Sequence, residues 1–296
     1  MKTLFIDSVG GLAGDMFLAA ALDAGLATLE ELSGLVARWL PEQVRLESET
    51  VTRNEMRART FRVIVDSEVS HVHEHRNLAD VERLLDACPI PPAAVALAKT
   101  MFRELAAAEA VAHGIPEEAV RFHEVGATDS LVDFALAAFV VERLGARVEA
   151  SPAVLGRGRV AMAHGDWPVP PPGTAEILRR GAIPSRSLPE TFAWEDAELT
   201  TPTGACLLRL ASRFGPFPAG VVLAVGVGAG SRDIPRWPNV TRLFVLETPE
   251  DARPEPAGAL ATSRFDTDTV AVLETWIDDT PGNVLALAVE EMLRAG

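Results

Sequence analysis

Three of the six histidines fall within five residues, at His71, His73 and His75. In an extended segment such positions share a face at a spacing of about 7 Å. That is too wide for chelation in a straight strand but is easily closed in a loop. Imidazole suits Ni(II), Zn(II) and Cu(II) alike, so ligand type does not choose the metal. Solvated histidines ahead of a helix are the plainer account; the clustering favours metal binding. His123 with Glu124, and His164 with Asp166, could add a ligand or exchange protons near neutral pH. Each histidine could equally be a hydrogen-bonded interior side chain. Asp129 and Asp133 stand four apart on one helix face and could converge on a cation. A capping aspartate beside a surface aspartate is the simpler alternative.

Three loops have the make-up of anion sites. Gly10 to Asp15 is glycine-rich and opens a helix, where free N–H groups favour negative charge. It lacks both the Lys-Ser/Thr of a P-loop and the G-x-G-x-x-G spacing, so ATPase and Rossmann readings fail. Thr200 to Gly204 offers hydroxyls and a helix start. Gly226 to Asp233 offers glycines for close backbone approach and Arg232 as an oxyanion clamp. A tight turn, a simple cap and a bulge are the structural alternatives. No G-x-S-x-G elbow is present, and neither Cys88 nor Cys206 has a histidine nearby in sequence, which leaves nucleophilic catalysis without support.

The elements that must carry these residues can be read in order. Thr3 to Ile6 reads as a strand, followed by the glycine turn and a helix stopped at Gly25. Leu29 to Leu40 reads as a helix. Val44 and Leu46, and later Phe61, Val63 and Val65, alternate as two strands. Asn77 caps a helix running to about Cys88, with Asp80 at its positive end. A long alanine-rich helix follows Pro92 and ends near Gly114, and another spans Asp129 to Leu144. Residues 148–163 read as extended, His164 to Thr174 as a rigid loop, and Ala175 to Arg180 as a helix. Thr201 caps a helix with Pro202 in its first turn. Val221 to Val227 reads as a buried strand and Thr241 to Leu246 as another. The fold class expected is mixed, α/β or α+β, with one main domain over 1–247. Residues 248–263, rich in Pro, Ala and Gly, read as a linker. Residues 264–296 read as a β-α fragment beginning a further domain.

Composition narrows the function classes. The 296 residues are 48% hydrophobic and 23% charged, which excludes disorder as the main state. There are 42 acidic against 27 basic residues, a net charge of −15, which argues against a dedicated binder of nucleic acid or anionic membrane. Such a surface suits handling of divalent cations. Two distant cysteines exclude a disulfide framework or a Cys-rich zinc site. No secretory leader is visible, and no apolar run approaches the ~20 residues that span a bilayer. A soluble, cytoplasmic protein is expected.

Several stretches together resemble one family. Asp7-Ser8 with Gly11-Leu12-Ala13-Gly14-Asp15-Met16 resembles its opening motif. His73-Glu74-His75-Arg76-Asn77-Leu78-Ala79-Asp80 is similar to its histidine-rich segment. Phe122-His123-Glu124-Val125-Gly126-Ala127-Thr128-Asp129-Ser130 resembles its F-H-E-V-G-A-x-D-S block. Residues 168–178, Leu199 to Ala205, Gly228 to Asp233 and Pro238-Asn239 continue the match. The family is the LarC-type nickel insertion proteins. Here the histidine region is shorter than is usual there, and Pro171-Pro172-Gly173 replaces an alanine-containing run.

The resemblance implies a nickel insertase, a cyclometallase of the lyase class. Its substrate is pyridinium-3,5-bisthiocarboxylic acid mononucleotide, and its product is the nickel-pincer nucleotide handed to an apo lactate racemase-type enzyme. It implies CTP with Mn(II) or Mg(II), at a domain that would begin within 264–296, so the chain is expected to hold nickel but to need a separate C-terminal domain for insertion. A nickel-binding metallochaperone or storage protein without catalysis is the alternative. The candidate metal ligands are His71, His73 and His75, with Glu74 or His123 as a further donor. His123, Glu124 and Asp129 are the candidate catalytic residues. Gly11, Gly14, Asp15, Thr201, Thr203 and Arg232 are the candidate nucleotide-binding residues.

Titration with Ni(II) tests the histidine assignment. A triple His71, His73, His75→Ala variant is expected to lose at least one bound nickel, and equal stoichiometry and affinity in both proteins would refute it.

Overall fold

The computed structural model describes residues 1–40, 44–65, 76–122, 128–162, 165–188, 196–234, 236–247, 291 and 294. His71, His73, His75, His123, Glu124 and His164 lie outside the described residues. So do the expected linker and nearly all of the expected C-terminal fragment. The chain divides into two compact units, Met1–Ala252 and Arg253–Gly296. In the second, Glu291 and Arg294 are described and form an ion pair of 2.9 Å.

The first unit is a mixed α and β domain, as expected, built on a seven-stranded sheet. Its strands are β1 (Lys2–Asp7), β3 (Thr50–Arg53), β4 (Met56–Arg59), β6 (Arg147–Ala150), β11 (Arg213–Phe214), β12 (Val221–Ala229) and β13 (Val240–Glu247). Their order is β11-β6-β1-β13-β12-β4-β3. β1 runs parallel to β6 and antiparallel to β13, and β12 runs antiparallel to β13. β2 (Val44–Glu47) and β5 (Arg62–Val65) form a separate antiparallel pair, the two alternating strands expected from sequence. β7 (Ala153–Leu155) pairs with β10 (Ser185–Ser187), and β8 (Arg159–Met162) with β9 (Gly165–Pro168).

Helix α1 (Gly14–Asp23) is buried along residues 16–22 and packs on β12. α2 (Leu29–Trp39) begins at Thr28, whose side chain accepts from Glu31 N, and buries Leu32, Leu35, Val36 and Trp39 at three- and four-residue spacing. α3 (Leu78–Asp86) carries the capping box of Asn77 and Asp80. α4 (Pro92–His113) ends at Gly114 in the left-handed region, at φ 64°. α5 (Thr128–Leu144) is buried on almost every side, because α1 and α4 both pack against it. Phe102 of α4 and Phe134 of α5 meet edge to face with centroids 4.8 Å apart, both fully buried. α6 (Pro172–Arg180) and α7 (Pro202–Leu208) complete the helices.

The structure corrects four local readings. The β3–β4 hairpin was not expected, because its side chains are largely exposed and charged; Asn54 and Glu55, both at positive φ, form its turn. Gly165–Pro168, expected within a loop, is strand β9. α6 starts three residues before the expected Ala175, because Pro172 sits in its tolerated first turn. β12 is not a buried strand: Val221 is 65% exposed and Leu223 50%.

Gly226 and Gly228 are the points where β12 touches the α1 backbone. A Cβ on Gly228 would overlap the Met16 carbonyl oxygen, and one on Gly226 the Ala20 carbonyl oxygen. Gly228→Ala should therefore cost about 3 kcal/mol by overpacking against backbone that cannot yield. Gly34, inside α2 with nothing within 4 Å of its Cβ position, should gain about 0.5–1 kcal/mol on becoming alanine. Thermal unfolding of the two variants should move the midpoint in opposite directions; movement together would contradict this packing.

Candidate functional site

The chain leaving β1 is laced to two other loops by backbone hydrogen bonds. Leu12 N donates to Leu199 O and Thr201 N to Leu12 O, both at 3.0 Å. Gly10 N donates to Val240 O at 2.8 Å, and Thr241 Oγ1 to Gly11 O at 2.7 Å. On the far side Gly230 N donates to Asn239 O, and Asn239 Nδ2 to Arg232 O, each at 3.0 Å. The glycines permit this contact. Gly11 has φ 104°, and a Cβ there would overlap the Leu199 carbonyl; one on Gly14 would overlap the Asp133 carboxylate. Their close approach is thus to the chain itself.

Two cavities open where the loops meet. The smaller, about 280 Å³, is lined by Asp15, Glu198, Thr201, Ser231, Arg232 and Asn239, among others. The three loops singled out from sequence therefore share one cavity. The larger, about 490 Å³, is lined by Asp15, Asp129, Asp133, Glu198, Thr201 and Thr203, with β5 and β8 along its sides. Asp15 and Thr201 belong to both.

The carboxylates of the larger cavity are unusual. Asp15 Oδ1 accepts from Met16 N at 2.7 Å, so this side chain occupies the start of its own helix. Burial nonetheless raises its pKa to about 6, with a further push from Asp129. Asp129 is exposed on one side and accepts from Ser130 N at 2.7 Å. The protein walls around its carboxyl still raise its pKa. Asp133 is 8% exposed, and burial, then the charges of Asp15 and Asp129, push its pKa well above the carboxylate range. Its Oδ1 is buried without a hydrogen-bond partner among the described residues.

Of the other candidates, Thr201 Oγ1 accepts from Gly204 N at 3.2 Å and lies 2.8 Å from Thr203 Oγ1. Arg232 Nη1 donates to Asp196 O at 3.0 Å. Among the described residues no group of three His, Cys, Asp or Glu side chains is arranged to hold a metal ion. No described helix is long and apolar enough to cross a membrane. Cys88 and Cys206 are buried and unbridged, and burial pushes the Cys88 thiol up to about 12. Glu198 and Ser130 also line the larger cavity, and nothing in their spacing marked them out.

The raised pKa of Asp15 has a defined consequence for stability. The folded state holds this proton more tightly than the unfolded chain, whose carboxyl titrates near 3.8. The associated stability is present below pH 4 and is lost as pH rises through 6, by about 3 kcal/mol. Asp15→Asn removes that loss. Its thermal midpoint should match wild type near pH 4 and exceed it at pH 7, and a difference independent of pH would contradict the burial of this charge.

The model of the family described as nickel insertion protein matches residues 4–296. A protein of a Nocardioides species is 40% identical over 302 residues, covering 100% of this chain and 69% of its own length. One from Geobacillus kaustophilus is 34% identical over 305 residues, covering 100% and 71%. Both are named pyridinium-3,5-bisthiocarboxylic acid mononucleotide nickel insertion protein. No solved structure matches the chain. With the family model running almost end to end, and relatives at this identity matched over more than two thirds of their length, the chain belongs to the nickel insertion protein family.

Proposed function

We propose that this chain inserts nickel into pyridinium-3,5-bisthiocarboxylic acid mononucleotide, and that the two cavities sharing Asp15 and Thr201 hold that nucleotide. The observation that carries the reading is the meeting of Asp15, Thr201 and Arg232 on one cavity. Nucleotide and nickel have opposite demands. The phosphate needs donors, and the smaller cavity supplies Arg232 with the Ser231 hydroxyl and the Asn239 amide nearby. The pyridinium ring is cationic, and the larger cavity faces it with Asp15 and Asp129. Thr203, which lines the larger cavity, is the proposed contact to the sugar.

Nickel is a substrate of this reaction. It ends bonded to two sulfurs and one ring carbon, so a ring proton must leave. His71, His73 and His75 are the proposed carriers of incoming nickel, with Glu74 or His123 as a further donor. His123, Glu124 and Asp129 are retained as candidates at the reacting end. Gly11 and Gly14 serve by letting the loops close on one another. CTP with Mn(II) or Mg(II), by the resemblance, belongs to a C-terminal domain that begins within residues 264–296. The proposed setting is the cytoplasm, and the proposed acceptor of the product is an apo lactate racemase-type enzyme.

Arg232→Ala is expected to weaken nucleotide binding about 10- to 100-fold, the loss of one or two charge-assisted hydrogen bonds. Nickel binding should be unchanged. Calorimetric titration with the nucleotide and with Ni(II) separately checks both. Unchanged nucleotide affinity in Arg232→Ala and in Thr203→Ala would overturn the placement.

A further inference from the structure

On the proposed placement the ring carbon that receives nickel first carries hydrogen, and something must take that proton. The acceptor has to line the larger cavity, be ionised when the substrate arrives, and keep an oxygen free of the protein. Among the described residues, four carboxyls line that cavity: Asp15, Asp129, Asp133 and Glu198. Glu198 accepts a hydrogen bond from Thr174 Oγ1 at 2.8 Å. Asp133 is buried, and its burial together with the charges of Asp15 and Asp129 favours its protonated form, which makes it the poorer acceptor. Its Oδ1 without a partner is a polar position that an incoming molecule would satisfy, and it marks this wall as built to meet a ligand. Asp129 lies on the exposed margin. Asp15 lies between the two cavities, half-buried, with Oδ1 fixed by Met16 N. Only Oδ2 is then left to act.

We infer that Asp15 is the residue that accepts the ring proton as nickel bonds to carbon, its carboxylate held at the start of α1 on the lining that the two cavities share. The inference rests on the proposed function. In the step, the C–H bond breaks and its electron pair becomes the Ni–C bond. The proton passes to Asp15 Oδ2. The two thiocarboxylates supply the Ni–S bonds, nickel stays Ni(II), and no oxidant or reductant enters. A carboxylate titrating near 6 is ionised at neutral pH, yet is a stronger base than one in open water. Among the described residues, the charged groups around it are Asp129 and Asp133 of α5, Glu198 ahead of α7, Arg62 of β5 and Arg232 beyond β12.

The test is single-turnover insertion with nickel, the nucleotide and CTP, the C-terminal domain being supplied as a separate chain. Wild type should show a rate falling tenfold per pH unit below about pH 6. It should also be slowed severalfold when the ring hydrogen is replaced by deuterium. Asp15→Asn, which also removes a charge facing the ring, should lose at least about 100-fold in rate at saturating nucleotide, with nucleotide affinity falling by no more than about tenfold. Asp15→Glu should recover part of the rate with the acid limb moved. Asp15→Asn inserting nickel within threefold of wild type would overturn the assignment, as would loss of nucleotide binding equal to the loss of rate. A wild-type chain that binds the nucleotide but never inserts nickel would overturn the insertase reading and this assignment together. Loss confined to Asp15→Asn cannot be confused with that outcome.

Discussion

The domain is organised around a backbone contact: the loop after β1 lies against the chain entering α7 closely enough for Leu12 and Thr200 to bridge as if in a sheet. This contact needs glycine on both sides. A Cβ at Gly11 would overlap Leu199, and one at Gly204 would overlap Leu12. Once the two strands of chain are joined, α1 and α7 start at the same place, and Asp15 and Thr201 face a common space. The β12 glycines bring the third loop to that space by seating the strand on the α1 backbone. Neither lacing nor seating involves a chemically active side chain, yet together they decide which side chains meet.

Closing the loops also determines the electrostatics. Packing α5 between α1 and α4 buries Asp133 beside Gly14, and that burial, with the charges of Asp15 and Asp129, raises its pKa. The cost falls on the folded state, and it is the kind of cost that marks a site rather than a scaffold. A net charge of −15 suggests a strongly negative cavity. Burial moderates this, because it favours the protonated form of Asp133 and raises the pKa of Asp15 to about 6, only about one unit below neutral pH. The cavity therefore presents a mixture of ionised and neutral carboxyls to whatever enters it.

Much of this arrangement was legible in the sequence, for reasons that differ by element. Caps and stops are local chemistry, so Asn77, Gly114 and Thr201 mark helix ends within a residue or two. The three anion-type loops were visible as loops, but their meeting was not, because it depends on the order of strands in the sheet. The β3–β4 hairpin escaped because its alternation carries arginines instead of apolar side chains. β12 was misjudged because an apolar run looks the same whether a strand is buried or lies open at one end. Asp133 was visible as a partner of Asp129 at helical spacing. Its burial was not, since that is set by α1 and α4.

On the proposed placement, the carboxyls of Asp15, Asp129 and Asp133 line the cavity in which nickel meets two sulfur donors of the substrate. Thiocarboxylate sulfur is softer than carboxylate oxygen and is the preferred partner of nickel. A cavity that held nickel tightly would oppose its transfer to the substrate, whereas one that holds the ring and moderates charge leaves the metal to the sulfurs. The thiocarboxylates are themselves anionic, so a fully ionised wall would repel them. Asp133, whose burial favours the protonated form, would in that form offer a hydrogen bond instead. On the proposed placement, the same burial that makes Asp15 a stronger base makes its neighbour a donor. The two carboxyls differ in role because α5 buries one of them more deeply than α1 buries the other.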